Sequence, residues 1–311
     1  MVVFAVSGIT GQVGSAVART LLAEKRRVRA VLRDAKKGPP WAVRGCQVAL
    51  ADMNDAASLA DAFSGTEGVF VMLPPIFDPS PGFPEARAIV AALRSALERA
   101  RPNKVVCLST VGAQVKRSNL LTQLTILEHE LGDLPMPVTF LRPAWFMENF
   151  AWDVAPARDD GVIHSFLQPL DKRLPMVATA DVGRVAAELL LEDWSGTRIV
   201  ELEGPRRIAP ITVASTFSQI LGRPVGIEAV PRAQWETLFR SQGMKHPEPR
   251  MQMLDGFNAG WIDFEGGESH TLKGKVELEA VLKGLAAASR TQRRKADVQR
   301  GNVLRAIPPG R

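Results

Sequence analysis

Residues 1–37, MVVFAVSGITGQVGSAVARTLLAEKRRVRAVLRDAKK, decide how the chain folds. A short apolar run meets glycines, and beyond them Val13, Val17, Leu21 and Leu22 recur at the spacing of one helix face. The order strand, loop, helix, strand is one βαβ unit. Gly8, Gly11 and Gly14 supply what a dinucleotide fingerprint needs: a tight turn, close approach of the backbone to a pyrophosphate, and close packing of helix on strand. The expected cofactor contacts here are Gly8, Thr10, Gly11, Gln12, Val13 and Gly14. The pyrophosphate would lie over the helix N-terminus, where free N–H groups and the helix dipole favour an anion.

The same alternation continues outward. Strands are expected over 46–51, 68–73, 104–109 and 138–142, with helical patterns over 55–63, 84–101 and 118–132. This predicts an α/β, Rossmann-like doubly wound parallel sheet with a smaller, mostly helical C-terminal substrate lobe. Its ligand crevice must lie at the carboxyl ends of the strands. Residues 1–150 form the expected nucleotide-binding domain, with 176–204 returning to it. Residues 151–175 and 205–289 form the lobe, and 290–311 a basic flexible tail.

With 311 residues, 46% hydrophobic and 23% charged, the chain can bury a sizeable core. The first strand follows Met1 at once, leaving no room for a leader, and no apolar run reaches membrane-spanning length. A cytoplasmic protein, monomer or homodimer, without a membrane partner is expected. The net charge of +6 resides in the basic segment 290–311, so the body is formally neutral and nucleic acid is an improbable partner. Cys46 and Cys107 read as small core residues, and no metal site is expected.

At the end of the second strand, VLRDAKK puts Arg33 where an adenosine ribose is read. A guanidinium suits a 2′-phosphate and a carboxylate suits a free ribose, so Arg33 with Lys36 or Lys37 favours NADP(H), whereas a one-residue shift to Asp34 would favour NAD(H). Asp52 is placed to accept from the adenine amino group, with Met53 against the ring; its blander role is a helix N-cap. Leu73 and Pro74, with Pro75, form a stiff apolar wall that could border the cofactor.

A reductase of simple ketones would use a tyrosine acid and a lysine four residues later on the helix after the fifth strand. This chain has no tyrosine. Leu120, Leu124, Leu127 and Leu131 instead make an apolar stripe, with Leu124 where the lysine would stand. Ser109 and Thr110, ending the fifth strand, are the candidate polar groups, able to hold a nicotinamide carboxamide or a substrate oxygen. His129, in LEHEL, is the substitute acid to weigh against a solvated or capping role.

The segments LSTVGA (108–113), RPAWFMENF (142–150), ATADVGRVAAELL (178–190) and GTRIVELEGP (196–205) resemble the NmrA-like branch of the atypical short-chain dehydrogenases. The resemblance covers nearly all of 2–289. It implies one of two fates: an NADPH-dependent reductase of quinones or dyes, or a regulator that senses NADP(H) without turning it over and so needs a protein partner. It also implies that Pro143 borders the nicotinamide, that Trp145, Phe146 and Asn149 line the substrate pocket, and that Glu128 is structural. Hydride delivered to a quinone, dye or azo compound leaves charge delocalised, so a pocket lacking an acid suits a small-molecule substrate of that kind. Farther on, Asp181 and Thr212 are expected to open helices and Gly222 to close one. The adaptable side chains of Met244, Met251, Met253, Phe257, Trp261 and Phe264 would suit a flat conjugated ligand or fill the core of the lobe.

Overall fold

The computed structural model describes residues 2–305, with side chains through Thr291. The opening unit is β1 (Val3–Val6), α1 (Gln12–Ala23) and β2 (Arg27–Leu32). There follow the short α2 (Pro39–Ala42), β3 (Gln47–Leu50), α3 (Ala56–Phe63), β4 (Gly68–Val71), α4 (Pro84–Ala100), β5 (Lys104–Leu108), α5 (Thr122–Leu131) and β6 (Val138–Pro143). Each strand alternates its side chains between two helical layers. Phe4, Val6 and Val106 face the layer of α1 and the later helix 179–191, while Ala5, Val105 and Cys107 face α3, α4 and α5.

Beyond β6 come β7 (Trp145–Phe146), a 3₁₀ stretch Met147–Asp153, α6 (Val154–Asp159), β8 (Val162–Ser165), β9 (Met176–Val177), α7 (Thr179–Leu191) and β10 (Thr197–Glu203). The lobe continues with α8 (Pro210–Leu221), β11 (Gly226–Ala229), α9 (Trp235–Ser241), α10 (Glu248–Ala259), β12 (Leu272–Lys273) and α11 (Leu278–Arg305). The main sheet has eight parallel strands in the order β12-β10-β6-β5-β4-β1-β2-β3. Strand order reverses between β1 and β4, which is the switch point where a doubly wound sheet opens its crevice. Helix α7 returns to cover α1 so closely that a Cβ on Gly183 would stand 2.8 Å from the Val17 amide nitrogen.

Several boundaries differ from expectation. Leu272–Lys273, inside the expected lobe, adds the outermost strand of the main sheet, so the lobe is stitched to the nucleotide-binding half. The segment expected to be a flexible tail is helical from Arg290 to Arg305, as its run of Arg, Gln, Lys and Ala permits; residues 306–311 lie outside the described part. Asp181 and Thr212 lie within the first turns of α7 and α8, whose N-caps are Ala178 and Ala209. Pro210 fixes the start of α8. At α7 a distant carboxylate does the capping: Glu148 accepts from the Thr179 amide at 3.0 Å and its hydroxyl at 2.7 Å. Asp181 instead accepts from the amides of Lys275 and Val276, and from Arg184. Gly222 does close α8 in the left-handed conformation. Among the described residues, no helix is long and apolar enough to cross a membrane.

Candidate active site

Parallel strands end on one side, so the segments following β1 through β6 gather along one rim of the sheet. Gly8 adopts φ +62°, and a Cβ there would strike the Met72 side chain, which leaves β4 beside it. A Cβ on Gly14 would overlap the Gly8 carbonyl and stand 2.9 Å from the Ile9 nitrogen. Gly11 caps α1 with extended backbone; no side chain satisfies the first-turn N–H groups and no acid lies in that turn. Thr10, Gly11 and Gln12 are exposed there, with Val13 and Gly14 buried behind them. A helix start left open, uncharged and glycine-lined fits a dinucleotide pyrophosphate.

The Arg33 and Asp34 alternatives separate by their partners. Asp34 caps the 3₁₀ turn Ala35–Lys37, its Oδ1 accepting from the Lys36 amide at 2.9 Å. Arg33, Lys36 and Lys37 are all exposed at this strand end, and Arg33 makes no side-chain bond to the described residues. The group free to meet a 2′-phosphate is thus a cation. Arg33→Ala should weaken NADPH binding by about 1.5–3 kcal/mol, the scale of a hydrogen bond to a charged group, and leave NADH nearly unchanged in a fluorescence titration. Equal losses for both would refute phosphate recognition by Arg33.

Asp52 is not the cap of α3; Asp55 is, accepting from the Ala57 amide at 3.0 Å. Asp52 Oδ1 accepts from the Asn54 amide, leaving Oδ2 for an outside donor, and Met53 packs beside it. Leu73 is buried and Pro74 half-buried after β4.

At the end of β5, Ser109 Oγ donates to Glu128 Oε1 at 2.5 Å. Glu128 is gripped by Arg142 through Nε at 2.8 Å and Nη2 at 2.7 Å. Arg142, whose side chain is only 3% exposed, also donates to Glu265 at 2.9 Å and lies 3.6 Å from Glu201. Burial opposes the Arg142 charge, but these carboxylates outweigh it and raise its pKa. The consequence for chemistry is directional. The single hydroxyl proton of Ser109 goes to Glu128, so Ser109 offers lone pairs, not a proton, to anything beside it. Thr110 is half-buried and its hydroxyl has no partner among the described residues.

His129 does not join this group. Its side chain is 85% exposed, beside Glu130 at 3.4 Å, because it points off the outer face of α5 while Leu127 and Leu131 point inward. An imidazole held out in solvent there is not placed to act as an acid in the crevice. Of the expected leucine stripe, Leu127 and Leu131 are buried on α5 and Leu124 is partly buried beside them, whereas Leu120 precedes the helix and packs into the other core layer, with Val106 and Leu141.

The segment after β6 carries the aromatic wall. Pro143 ends β6 and its carbonyl accepts from the Val111 amide at 2.9 Å, tying the two strand exits together. Trp145 meets Phe257 of α10 edge to face at 5.2 Å. Phe146 is half-buried and Asn149 exposed, and Trp152 faces solvent. Among the described residues, the buried Trp145 indole N–H has no acceptor and the buried Gln114 Oε1 no donor, although Gln114 Nε2 donates to the Asp263 carbonyl at 2.9 Å. Unmet buried polar atoms cost about 1–3 kcal/mol each, a cost that any partner for either atom would remove.

Asp153, closing the 3₁₀ stretch, is the unexpected titratable group. Burial with no compensating partner pushes its carboxyl up to about 7. Its folded pKa lies above the unfolded value of 3.8, so the folded chain holds an extra proton between those limits. Stability from this group is complete below about 4 and falls as pH rises to 7. Asp153→Asn should therefore stabilise the protein at pH 8 by about 1–3 kcal/mol and do nothing at pH 4, read by urea unfolding at both values.

Fold and rim together define a dinucleotide-binding Rossmann protein. The chain belongs to the NmrA-like family, whose model matches residues 2–263. It is 27% identical to the NAD(P)H azoreductase of Xenophilus azovorans, over 77% of this chain and 81% of that one. To quinone oxidoreductase 2 of Escherichia coli (strain K12) it is 23% identical, over 82% and 87%. The structure of the Citrobacter sp. triphenylmethane reductase complexed with NADP(H) superposes with a TM-score of 0.76 at 19% identity, covering 92% of this chain and all of that chain.

Proposed function

We propose that this protein is an NADPH-dependent reductase that transfers hydride to a conjugated small molecule of the quinone, azo or cationic dye kind without a tyrosine–lysine relay. It is an NAD(P)H-dependent oxidoreductase, in keeping with the azoreductase and quinone oxidoreductase among its relatives. Bound NADPH supplies the hydride. The loop from Gly8 to Gly14 holds the pyrophosphate, Arg33 the 2′-phosphate and Asp52 the adenine. Ser109, with lone pairs outward, accepts from a carboxamide N–H₂, and Pro143 with Leu73 and Pro74 borders the ring. Trp145, Phe146 and Asn149 receive the acceptor, the Trp145 N–H donating to its oxygen or nitrogen. The cytoplasm is its proposed location.

The carrying observation is the commitment of the Ser109 proton to Glu128 in a chain without tyrosine. Reduction of a simple ketone makes a localised alkoxide, for which a positioned acid is worth on the order of 10²–10⁴ in rate. A quinone or azo acceptor delocalises the negative charge that hydride brings and takes its proton from water, and a cationic dye is neutralised by hydride and takes no proton. The test is NADPH oxidation with quinones, azo compounds, triphenylmethane dyes and simple ketones. Turnover limited to the delocalised acceptors supports this reading. Tight NADP(H) binding with no turnover would make the protein a sensor, and efficient ketone reduction would contradict the absence of an acid.

A further inference from the structure

Arg250 differs from Arg142, Arg184 and Arg207, whose charges are met by acids. It lies in the first turn of α10, half-buried, with its Cζ 4.5 Å over the Phe239 ring and Nη1 3.7 Å from Met244 Sδ. No carboxylate pairs with it among the described residues. Burial alone pulls its pKa down, whereas acids raise those of Arg142, Arg184 and Arg207. Stacking on Phe239 satisfies the face of the guanidinium, but a thioether is a weak acceptor for five N–H donors. A desolvated cation without a counter-charge is costly and is retained where an anion arrives to meet it.

Its location says which anion. The carbonyl of Pro249, the adjoining residue, accepts from the Leu120 amide at 2.8 Å, pinning this end of α10 to the segment after β5. Just before it, the Lys245 and His246 amides donate to Asp78 of the segment after β4, at 2.8 and 2.7 Å. The start of α10 therefore closes over the strand ends that form the crevice. Arg250, Leu254 and Phe257 fall on one helical face, and Phe257 touches Trp145. Seven residues of helix separate Arg250 from Phe257, about 10 Å along the axis. Arg117, exposed and without a carboxylate partner among the described residues, lies 5.4 Å over Trp261, which follows α10.

We propose that Arg250 is a specificity-determining residue that receives an anionic group of the acceptor, a sulfonate or carboxylate carried one aryl ring from the reducible centre beside Trp145. This rests on the reductase reading for the centre, but the anion subsite can be measured without turnover. The probes are a phenylazo-naphthol and its para-sulfonate, tested for binding to the NADP⁺-loaded protein and for NADPH consumption. The wild type should prefer the sulfonate at least 10-fold. Arg250→Met, which keeps an apolar stem, should abolish that preference by weakening the sulfonate alone, and Arg250→Lys should keep most of it. If Arg250→Met fails to fold, the wild-type preference and Arg250→Lys still decide. No wild-type preference, or equal losses for both dyes, overturns the proposal. Preferential binding lost in Arg250→Met with no NADPH consumed upholds the subsite while defeating the reductase reading.

Discussion

Arg142→Ala is expected to lower the unfolding free energy by about 3–5 kcal/mol, because removing one partner of a buried ion pair leaves Glu128 and Glu201 charged and largely out of water. Glu128 and Glu201 would lose the guanidinium that lies between them, and the largely exposed Glu265 would lose an ion-pair partner. The loss is read by urea unfolding at pH 7. It should shrink when the partner acids are removed as well: Arg142→Met combined with Glu128→Leu and Glu201→Leu should recover much of the stability, as apolar replacement of whole buried ion clusters does. An exposed or water-filled site would instead show a loss under about 1 kcal/mol for Arg142→Ala. NADPH binding offers a second readout. Once Glu128 is no longer held, Ser109 loses its fixed orientation, so the variant that still folds should bind NADPH less tightly.

Gly14→Ala should weaken NADPH binding by roughly 10–100-fold and lower stability by about 1–3 kcal/mol. The added carbon would meet the Gly8 carbonyl carbon at 2.5 Å and the Ile9 nitrogen at 2.9 Å, and both are backbone atoms with no rotamer to move. The loop must open, and the open helix start that receives the pyrophosphate changes shape with it. Calorimetric titration with NADPH checks the first effect and thermal unfolding the second. Gly222→Ala is the contrast: its Cβ meets nothing, so it costs only the left-handed strain at φ +67° and should leave the cofactor unaffected.

The strands were legible because a buried parallel strand is a continuous apolar run, and GVFV or KVVCL can be little else between turns. The glycine loop was legible for the same local reason, since a fingerprint of turn, helix start and packing is written in nearby residues. Helix α5 begins at Thr122, later than the pattern implies, because Asn119 turns its side chain onto the Leu121 amide and holds 119–121 in a turn. What sequence could not reveal is what depends on distant residues. Glu148 capping α7, Asp181 holding the 275–276 backbone and Arg142 gathering three acids join residues far apart in the chain. The polarity of Ser109 is of this kind too, for its hydroxyl direction is set by a glutamate nineteen positions later. His129 shows the converse: a histidine between two acids suggests chemistry in a string of letters, but the helix turns it out to solvent.

The central claim is direct hydride transfer to a delocalised acceptor in a site without an acid. The most direct measurement uses NADPH deuterated at the transferring position, a cationic triphenylmethane dye as acceptor, and mass spectrometry of the colourless product. Direct transfer places one deuterium at the central carbon and gives a rate that is the same in H₂O and D₂O. A product without deuterium, or a rate that falls severalfold in D₂O, would contradict it.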